Sequence, residues 1–375
     1  MKTRLLVILS VAVFLGLYVG MNAAQAFPAH PLAALAASVL LLALFIGWQI
    51  AYRMGALPED SWAARAVSWT TSVGMGAWAT FLILSAIAAA AGFLLSPVMR
   101  GPVFSRALPE AAFAAAVVLA FLGLGQALQG PRVVEVVIRA PGLAPGLRGL
   151  RIAQISDLHA GHTIERGYVE GIVQRVMELK PDLIAVTGDL ADGTVAQISR
   201  RVEPLAELRA PLGVYYVTGN HEYYWNALDW VQKVRELGFT PLLNSSRVLE
   251  RGGARLFIAG VPDDFGGAFV PGHAPDMAKA AAGRESCDFR ILLAHRPGAA
   301  KAAERAGFDL QLSGHTHGGQ FFPASLFIGL FHRYARGLAR RGRLQIYVNP
   351  GTGYWGPAHR FAVPAEITLL TLSEA

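Results

Sequence analysis

Charged positions divide the chain into two unlike parts. From Leu5 to Tyr52 the only side chain able to carry charge is His30, and uncharged runs return over Val67–Met99 and Ala111–Pro131. Asn22, Pro28 and Pro31 interrupt the first run near its middle, which predicts two helices, Leu5–Ala24 and Pro31–Tyr52. Each is near the ~20 residues needed to cross the hydrocarbon core of a bilayer. With the two later runs, about four spans are expected over residues 1–130. Helix is the expected form, because hydrocarbon offers backbone N–H and C=O groups no partners and each must be satisfied within its own segment. Trp69, Trp78 and the cluster Thr70-Thr71-Ser72 make the third run the least lipid-like, yet its length without a charge sets it apart from a soluble helix.

After Arg132 the pattern changes. Val133–Ile138 is a β-branched run closed by the turn-forming pairs Pro141-Gly142 and Pro145-Gly146. Short apolar strands are then expected at Arg151–Ile155, Leu183–Thr187, Val214–Thr218, Leu256–Gly260, Ile291–Leu293, Leu310–Leu312, Leu344–Val348 and Ile367–Leu372. Between the first two, Val169, Ile172, Val173, Val176 and Met177 recur at helical spacing behind a candidate N-cap at Thr163. Leu228, Val231, Val234 and Leu237 do the same behind Asn226, and Gly238 stops that helix. Such alternation predicts an α/β domain over residues 131–375, with sheet inside and helices outside.

Composition sharpens this division. A hydrophobic fraction of 53% with 16% charged residues is explained by the charge-free N-terminal third. The net charge of +7 does not indicate a nucleic-acid partner, because Lys and Arg are dispersed and not interleaved with aromatics. Lys2, Arg4, Arg53, Arg65, Arg132 and Arg139 fall on one side of the expected spans, and only Arg100 and Arg106 on the other. The positive-inside bias therefore predicts a multi-pass protein of the inner (cell) membrane with its C-terminal domain cytoplasmic. Met1-Lys2-Thr3-Arg4 and Ala24-Gln25-Ala26 also have the form of a cleavable signal. The long apolar stretch and the second run directly behind it favour a retained helix. The single Cys287 excludes an internal disulfide and a Cys-based zinc site.

The chemistry lies just past the ends of the apolar strands. Arg151–Ile155 runs into Ser156-Asp157-Leu158-His159, and Leu183–Thr187 into Gly188-Asp189-Leu190-Ala191-Asp192. Val214–Thr218 runs into Gly219-Asn220-His221-Glu222, Ile291–Leu293 into Ala294-His295, and Leu310–Leu312 into Ser313-Gly314-His315-Thr316-His317. The carboxyl edge of an open α/β sheet is where ligands bind, and five of the ten histidines sit in these five motifs. Imidazole with carboxylate suits Mn, Fe or Zn, and a carboxylate can bridge two ions ~3.5–4 Å apart. Each fragment alone is weak; their joint occurrence, in order and each after a strand, is not. Asp192 and Glu222 also fit as helix caps. His162, His273, His332 and His359 read as surface or satisfied core histidines, and Asp263-Asp264 as a solvated turn.

Asp157-x-His159, Gly188-Asp189-x-x-Asp192, Gly219-Asn220-His221-Glu222, His295 and Gly314-His315-Thr316-His317 resemble the five signature blocks of the calcineurin-like metallophosphoesterase superfamily. Gly314–Gln320, Tyr334–Leu338 and Pro364–Leu372 further resemble its bacterial membrane-associated branch. The resemblance runs from about Val133 onward and implies a four-layer α/β/β/α sandwich. It implies two divalent metal ions, one held by Asp157, His159 and His317 and the other by Asn220, His295 and His315, with Asp189 bridging. His221 would protonate the leaving oxygen or stabilise the developing charge, Asp192 would orient His221 or the Asp189 loop, and a metal-bound hydroxide would attack the phosphate ester. No obligate protein partner is implied. The apolar run Phe321–Phe331, followed by His332, Arg333, Arg336, Arg340, Arg341 and Arg343, suits the membrane surface and a lipid phosphoester or pyrophosphate substrate; an internal segment packed on the core is the competing reading. A membrane protein whose soluble domain only binds a phosphorylated ligand is the alternative function, against which the presence of His221 counts.

Overall fold

The computed structural model describes residues 15–53, 62–98 and 102–375, and the chain forms two compact units. The N-terminal unit is helical: α1 over residues 15–26, α2 (Pro31–Arg53), α3 (Trp62–Leu95) and α4 (Pro102–Leu128). Segments of α2, α3 and α4 are long and apolar enough to cross a membrane. Of the expected span Leu5–Ala24, residues 5–14 lie outside the described residues. The rest is helical and continues past Asn22, whose Nδ2 donates to the Tyr18 carbonyl at 2.8 Å, so the break falls after Ala26. Phe113 meets the edges of Phe27 and Phe81, with centroids 4.7 and 5.5 Å apart. In the polar cluster of the third run Thr71 and Ser72 turn inward and Thr70 is exposed; Ser72 Oγ accepts from the Ala358 N–H at 2.8 Å. This unit also takes in Phe321–Leu326 and Gly356–Ala362.

The C-terminal unit is built on twelve strands among the described residues. They are β1 (Arg132–Ala140), β2 (Arg151–Ile155), β3 (Leu183–Val186), β4 (Val214–Tyr216), β5 (Thr240–Pro241), β6 (Ser245–Arg251), β7 (Ala254–Gly260), β8 (Phe289–Leu293), β9 (Leu310–Ser313), β10 (Gly337–Arg341), β11 (Leu344–Val348) and β12 (Glu366–Glu374). One sheet has the order β1-β12-β2-β3-β4-β5 and the other β10-β11-β9-β8-β7-β6. Ile152, Leu183 and Leu370 of the first meet Leu256, Ile291 and Leu312 of the second in a buried layer between them. α5 (Arg166–Glu178), α6 (Val195–Val202) and, past the short α7 (Asn220–Tyr224), α8 (Ala227–Glu236) carry buried apolar faces on the first sheet. On the second sheet's outer face, Phe257, Leu292 and Ile346 pack with Ala300 and Ala303. The expected four-layer α/β/β/α sandwich is therefore present.

Three local expectations are corrected. The N-cap of α5 is Glu165, not Thr163. Leu228 is 55% exposed, and the large inward residue of α8 is Trp230, fully buried with its Nε1 donating to the Gly193 carbonyl at 3.0 Å. The edge strands β6 and β10 escape the apolar pattern because edges tolerate, and use, charged residues such as Arg247, Arg251, Arg340 and Arg341. Of the run Phe321–Phe331, the second half is not packed on a core: Phe327, Leu330 and Phe331 are exposed, the last at 81%.

Trp230→Ala is expected to destabilise the C-terminal unit by about 3–5 kcal/mol through the cavity it leaves, whereas Leu228→Ala should stay within about 0.5 kcal/mol. Denaturant unfolding of both variants checks the difference; equal losses would contradict the facing of α8.

Candidate metal centre

Each donor stands on the first residues beyond a strand, where the backbone leaves the sheet and turns. Asp157 and His159 follow β2, Asp189 and Asp192 follow β3, Asn220 and His221 follow β4, His295 follows β8, and His315 and His317 follow β9. Turning so sharply costs backbone strain. Asp157, His159, Asp189, His315 and His317 all have φ between 49° and 71°, the left-handed region that L-residues avoid at roughly 1–2 kcal/mol each. Such outliers persist only where neighbouring structure fixes them. Here the Asp157 and His159 amides donate to the carbonyls of Gly188 and Asp189, both at 3.0 Å, and the His315 amide donates to the Asp157 carboxylate at 3.0 Å. At Gly314 even a Cβ would collide with Ser156 Oγ and Asp157 Oδ2, so only glycine fits.

These constraints gather six of the seven expected ligands into groups able to hold a metal ion. Asp157, His159 and His317 form one group whose ligand atoms lie within 4.8 Å of one another, and Asp189, His295 and His315 form a second. His159 Nε2 is 3.0 Å from His317 Nε2, and His315 Nδ1 is 3.2 Å from His295 Nε2. Asp189 Oδ2 lies between the groups, 3.8 Å from His159 Nε2 and 3.3 Å from His295 Nε2. The His295 Nδ1–H donates to the Thr187 carbonyl at 2.8 Å, which turns Nε2 inward, the orientation a metal ligand requires. Asn220 joins the second group through Arg296, whose Nη2 reaches its Oδ1 at 3.2 Å while Nη1 reaches His315 Nε2 at 2.9 Å. Imidazole nitrogens aimed at one another, with carboxylates alongside, are a donor set that fits divalent cations.

His221 forms a third such group with His159 and Asp189. Its Nδ1 lies 2.5 Å from Asp192 Oδ1, which His159 Nδ1 approaches at 3.2 Å. One carboxylate oxygen thus sets the orientation of two imidazoles, and His159 Nε2 faces His317 and Asp189. Burial disfavours the His221 imidazolium, but the Asp192 and Asp189 carboxylates outweigh it and raise the pKa to about 9. Burial would likewise raise the Asp192 pKa, yet the His159 and His221 charges hold it well below the usual carboxylate range. Burial and the His295 and Arg296 charges lower His315 to about 3, which keeps it an uncharged donor.

Two residues do more than their sequence context suggests. Glu222, fully buried, accepts from its own N-cap amide at Gly219 (2.7 Å) and also from Asp189 (3.0 Å) and Leu190 (2.7 Å). It caps its helix and ties two donor loops together; burial and the Asp189 charge raise its pKa to about 7. Asp263 is not in a solvated turn: it is 2% exposed and accepts from Arg296 Nε at 2.7 Å. Its immersion in the fold, 33 residues from its partner, left no local signal. His162, His273, His332 and His359 belong to none of the metal-competent groups among the described residues. His359 is buried, but among the described residues neither ring nitrogen has a hydrogen-bond partner, so it differs from a satisfied core histidine.

Comparison with known proteins agrees with this geometry. The sequence pattern of calcineurin-like phosphoesterases matches residues 150–319. A Danio rerio protein named transmembrane protein with metallophosphoesterase domain is 40% identical over 267 residues, covering 69% of this chain and 61% of the relative. Its Bos taurus namesake is 37% identical over 278 residues, covering 71% and 63%. The chain thus spans about three-fifths of the length of these vertebrate relatives. A metallophosphoesterase of Aquifex aeolicus, named as uncharacterized, is 33% identical over 244 residues, covering 64% of this chain and 91% of the relative.

Glu222→Ala strands three buried amides, so a loss of about 1–3 kcal/mol per unsatisfied group is expected, together with weaker metal retention. Denaturant unfolding and metal analysis after dialysis check this. A variant as stable and as metal-retentive as the parent would remove the tie from the account.

Proposed function

The chain belongs to the calcineurin-like phosphoesterase family, and we propose that it is a membrane-anchored phosphoesterase that hydrolyses phosphate esters with two divalent ions. The observation that carries this reading is the convergence of two three-residue donor groups, from four separate strands, with Asp189 within reach of both. Asp157, His159 and His317 would hold one ion, Asn220, His295 and His315 the other, with Asp189 between; Mn, Fe and Zn suit such a set. When bound, the ions supply an acidified water for in-line attack and positive charge against the phosphoryl oxygens.

The chain's own groups do the rest. His221, kept protonated by its two carboxylate neighbours, presents Nε2 as proton donor to the leaving oxygen. Asp192 fixes that imidazole and the His159 imidazole in their working orientation. The three apolar helices supply the anchor, and the Lys/Arg asymmetry assigns the C-terminal unit to the cytoplasmic side.

A lipid phosphoester or pyrophosphate is the favoured substrate class. Tyr224 and Trp355, both more than 40% exposed, flank His221 at ring-centroid distances of 5.2 and 6.3 Å. Exposed Phe327, Leu330 and Phe331 lie just ahead of His332, whose ring is 6.1 Å from that of His315. An apolar apron of this kind beside a phosphate centre fits an ester with an apolar tail.

Metal analysis and turnover of p-nitrophenyl phosphate and its bis-ester test the reaction class. The expected result is about two ions per chain with hydrolysis; metal without turnover of any ester would favour a binding protein. His221→Asn should lower kcat by roughly 10²–10⁴ with metal content unchanged. For the substrate class, Phe327→Asp with Phe331→Asp should slow hydrolysis of phospholipid in mixed micelles far more than that of p-nitrophenyl phosphate. Equal effects on both would count against the lipid reading.

A further inference from the structure

Arg296 lies at the edge of the second donor group, and two of its sides are already committed. Its Nε donates to Asp263 Oδ2 at 2.7 Å, and the Asp263 side chain is fully buried. That carboxylate is itself anchored, since Asp263 Oδ1 accepts from the Phe265 amide at 2.9 Å. One face of the guanidinium lies over the Phe265 ring, 5.2 Å from its centroid. Phe265 is in turn braced by Tyr224 and Phe269, with centroids 5.9 and 6.2 Å away. What remains is the Nη edge, which faces His315 Nε2 and Asn220 Oδ1.

Both acceptors on that edge are in demand elsewhere. His295 Nδ1 donates to the Thr187 carbonyl, and its Nε2 lies 3.2 Å from His315 Nδ1. If His315 also turns a Nδ1 lone pair toward a shared cation, its proton must sit on Nε2, where it faces an Arg296 N–H. Donor then meets donor. Asn220 Oδ1, if it served the same cation, would be lost to Arg296 as well. The Nη edge would then be left without these two acceptors, while Asp263 and Phe265 hold it in place. A guanidinium so fixed is a planar fork matched to two oxygens of a phosphate.

We infer that Arg296 is a phosphate-binding residue, gripping non-bridging oxygens of the substrate with its Nη edge, and that Asp263 and Phe265 are its positioning residues. This rests on the phosphoesterase reading above. It places the substrate phosphate between two protein groups, Arg296 at the second donor group and His221 beside the first. It also gives the buried Asp263 a purpose, since a neutral side chain there would leave the guanidinium free to swing.

The test uses the full-length, metal-loaded protein in detergent. Arg296→Gln should raise KM for p-nitrophenyl phosphate, and weaken inhibition by inorganic phosphate, each roughly 10- to 100-fold, as loss of a charge-assisted hydrogen-bond pair implies. Metal content should be unchanged. Arg296→Lys should recover part of the loss, and Asp263→Asn should show a smaller rise in KM. Calorimetric titration with inorganic phosphate gives the same comparison without turnover. An Arg296→Gln protein that keeps its metal, its KM and its affinity for phosphate would overturn the inference while leaving the phosphoesterase reading intact. Loss of metal alone, with phosphate affinity retained by the metal-reloaded variant, would overturn it too. A parent protein that hydrolyses no phosphoester would remove both.

Discussion

Donor loops held in a backbone conformation they would not adopt alone are the constraint on which the site depends. Five ligand-type residues sit at positive φ, and each must be held there by something other than its own preference. The holding is done by peptide groups exchanged between loops and by the buried carboxylate of Glu222, which reaches the loops after β3 and β4 together. Parallel pairing of β2, β3 and β4 brings those loops side by side in the first place. The two sheets then close over a common apolar layer, so that loops from β8 and β9 arrive at the same rim. Precision at the centre is thus inherited from sheet register.

Electrostatics follows the same economy. Buried carboxylates and imidazoles are each expensive alone; placed against one another, they shift apart into distinct protonation states. Asp192 stays ionised, His221 charged and His315 neutral, although all three lie within one small region. Groups driven apart in this way can take different parts in one reaction.

Much of this was legible in the residues. Strand ends announced themselves because apolar runs stop abruptly at Gly, Asp, Asn and His, and few bland roles exist for such residues among glycines. Less visible were features decided by distant partners. Asp263 looked like part of a solvated turn until Arg296, on another strand end, was seen to cover it. Glu222 looked like a cap because the amides of Asp189 and Leu190 come from a different loop. His359 is buried by packing on Gly76 and Gly123, positions far upstream whose small size is meaningless until the loop arrives. In α8, Trp230 and Leu228 differ by two positions, and only packing decides which one turns inward.

The position of β12 in the first sheet has a consequence for how the protein is made. β1 and β2 are neighbours in sequence, yet β12 lies between them, pairing with β1 in parallel and with β2 in antiparallel register. Arg132 must therefore wait for Glu366, roughly 230 residues later, before the strand between its own and the next exists. During translation the helical segments emerge first, while the first sheet carries an open slot. Contacts of such long sequence separation form slowly, so the ribosome will have delivered every candidate ligand before the sheet that aligns them can close.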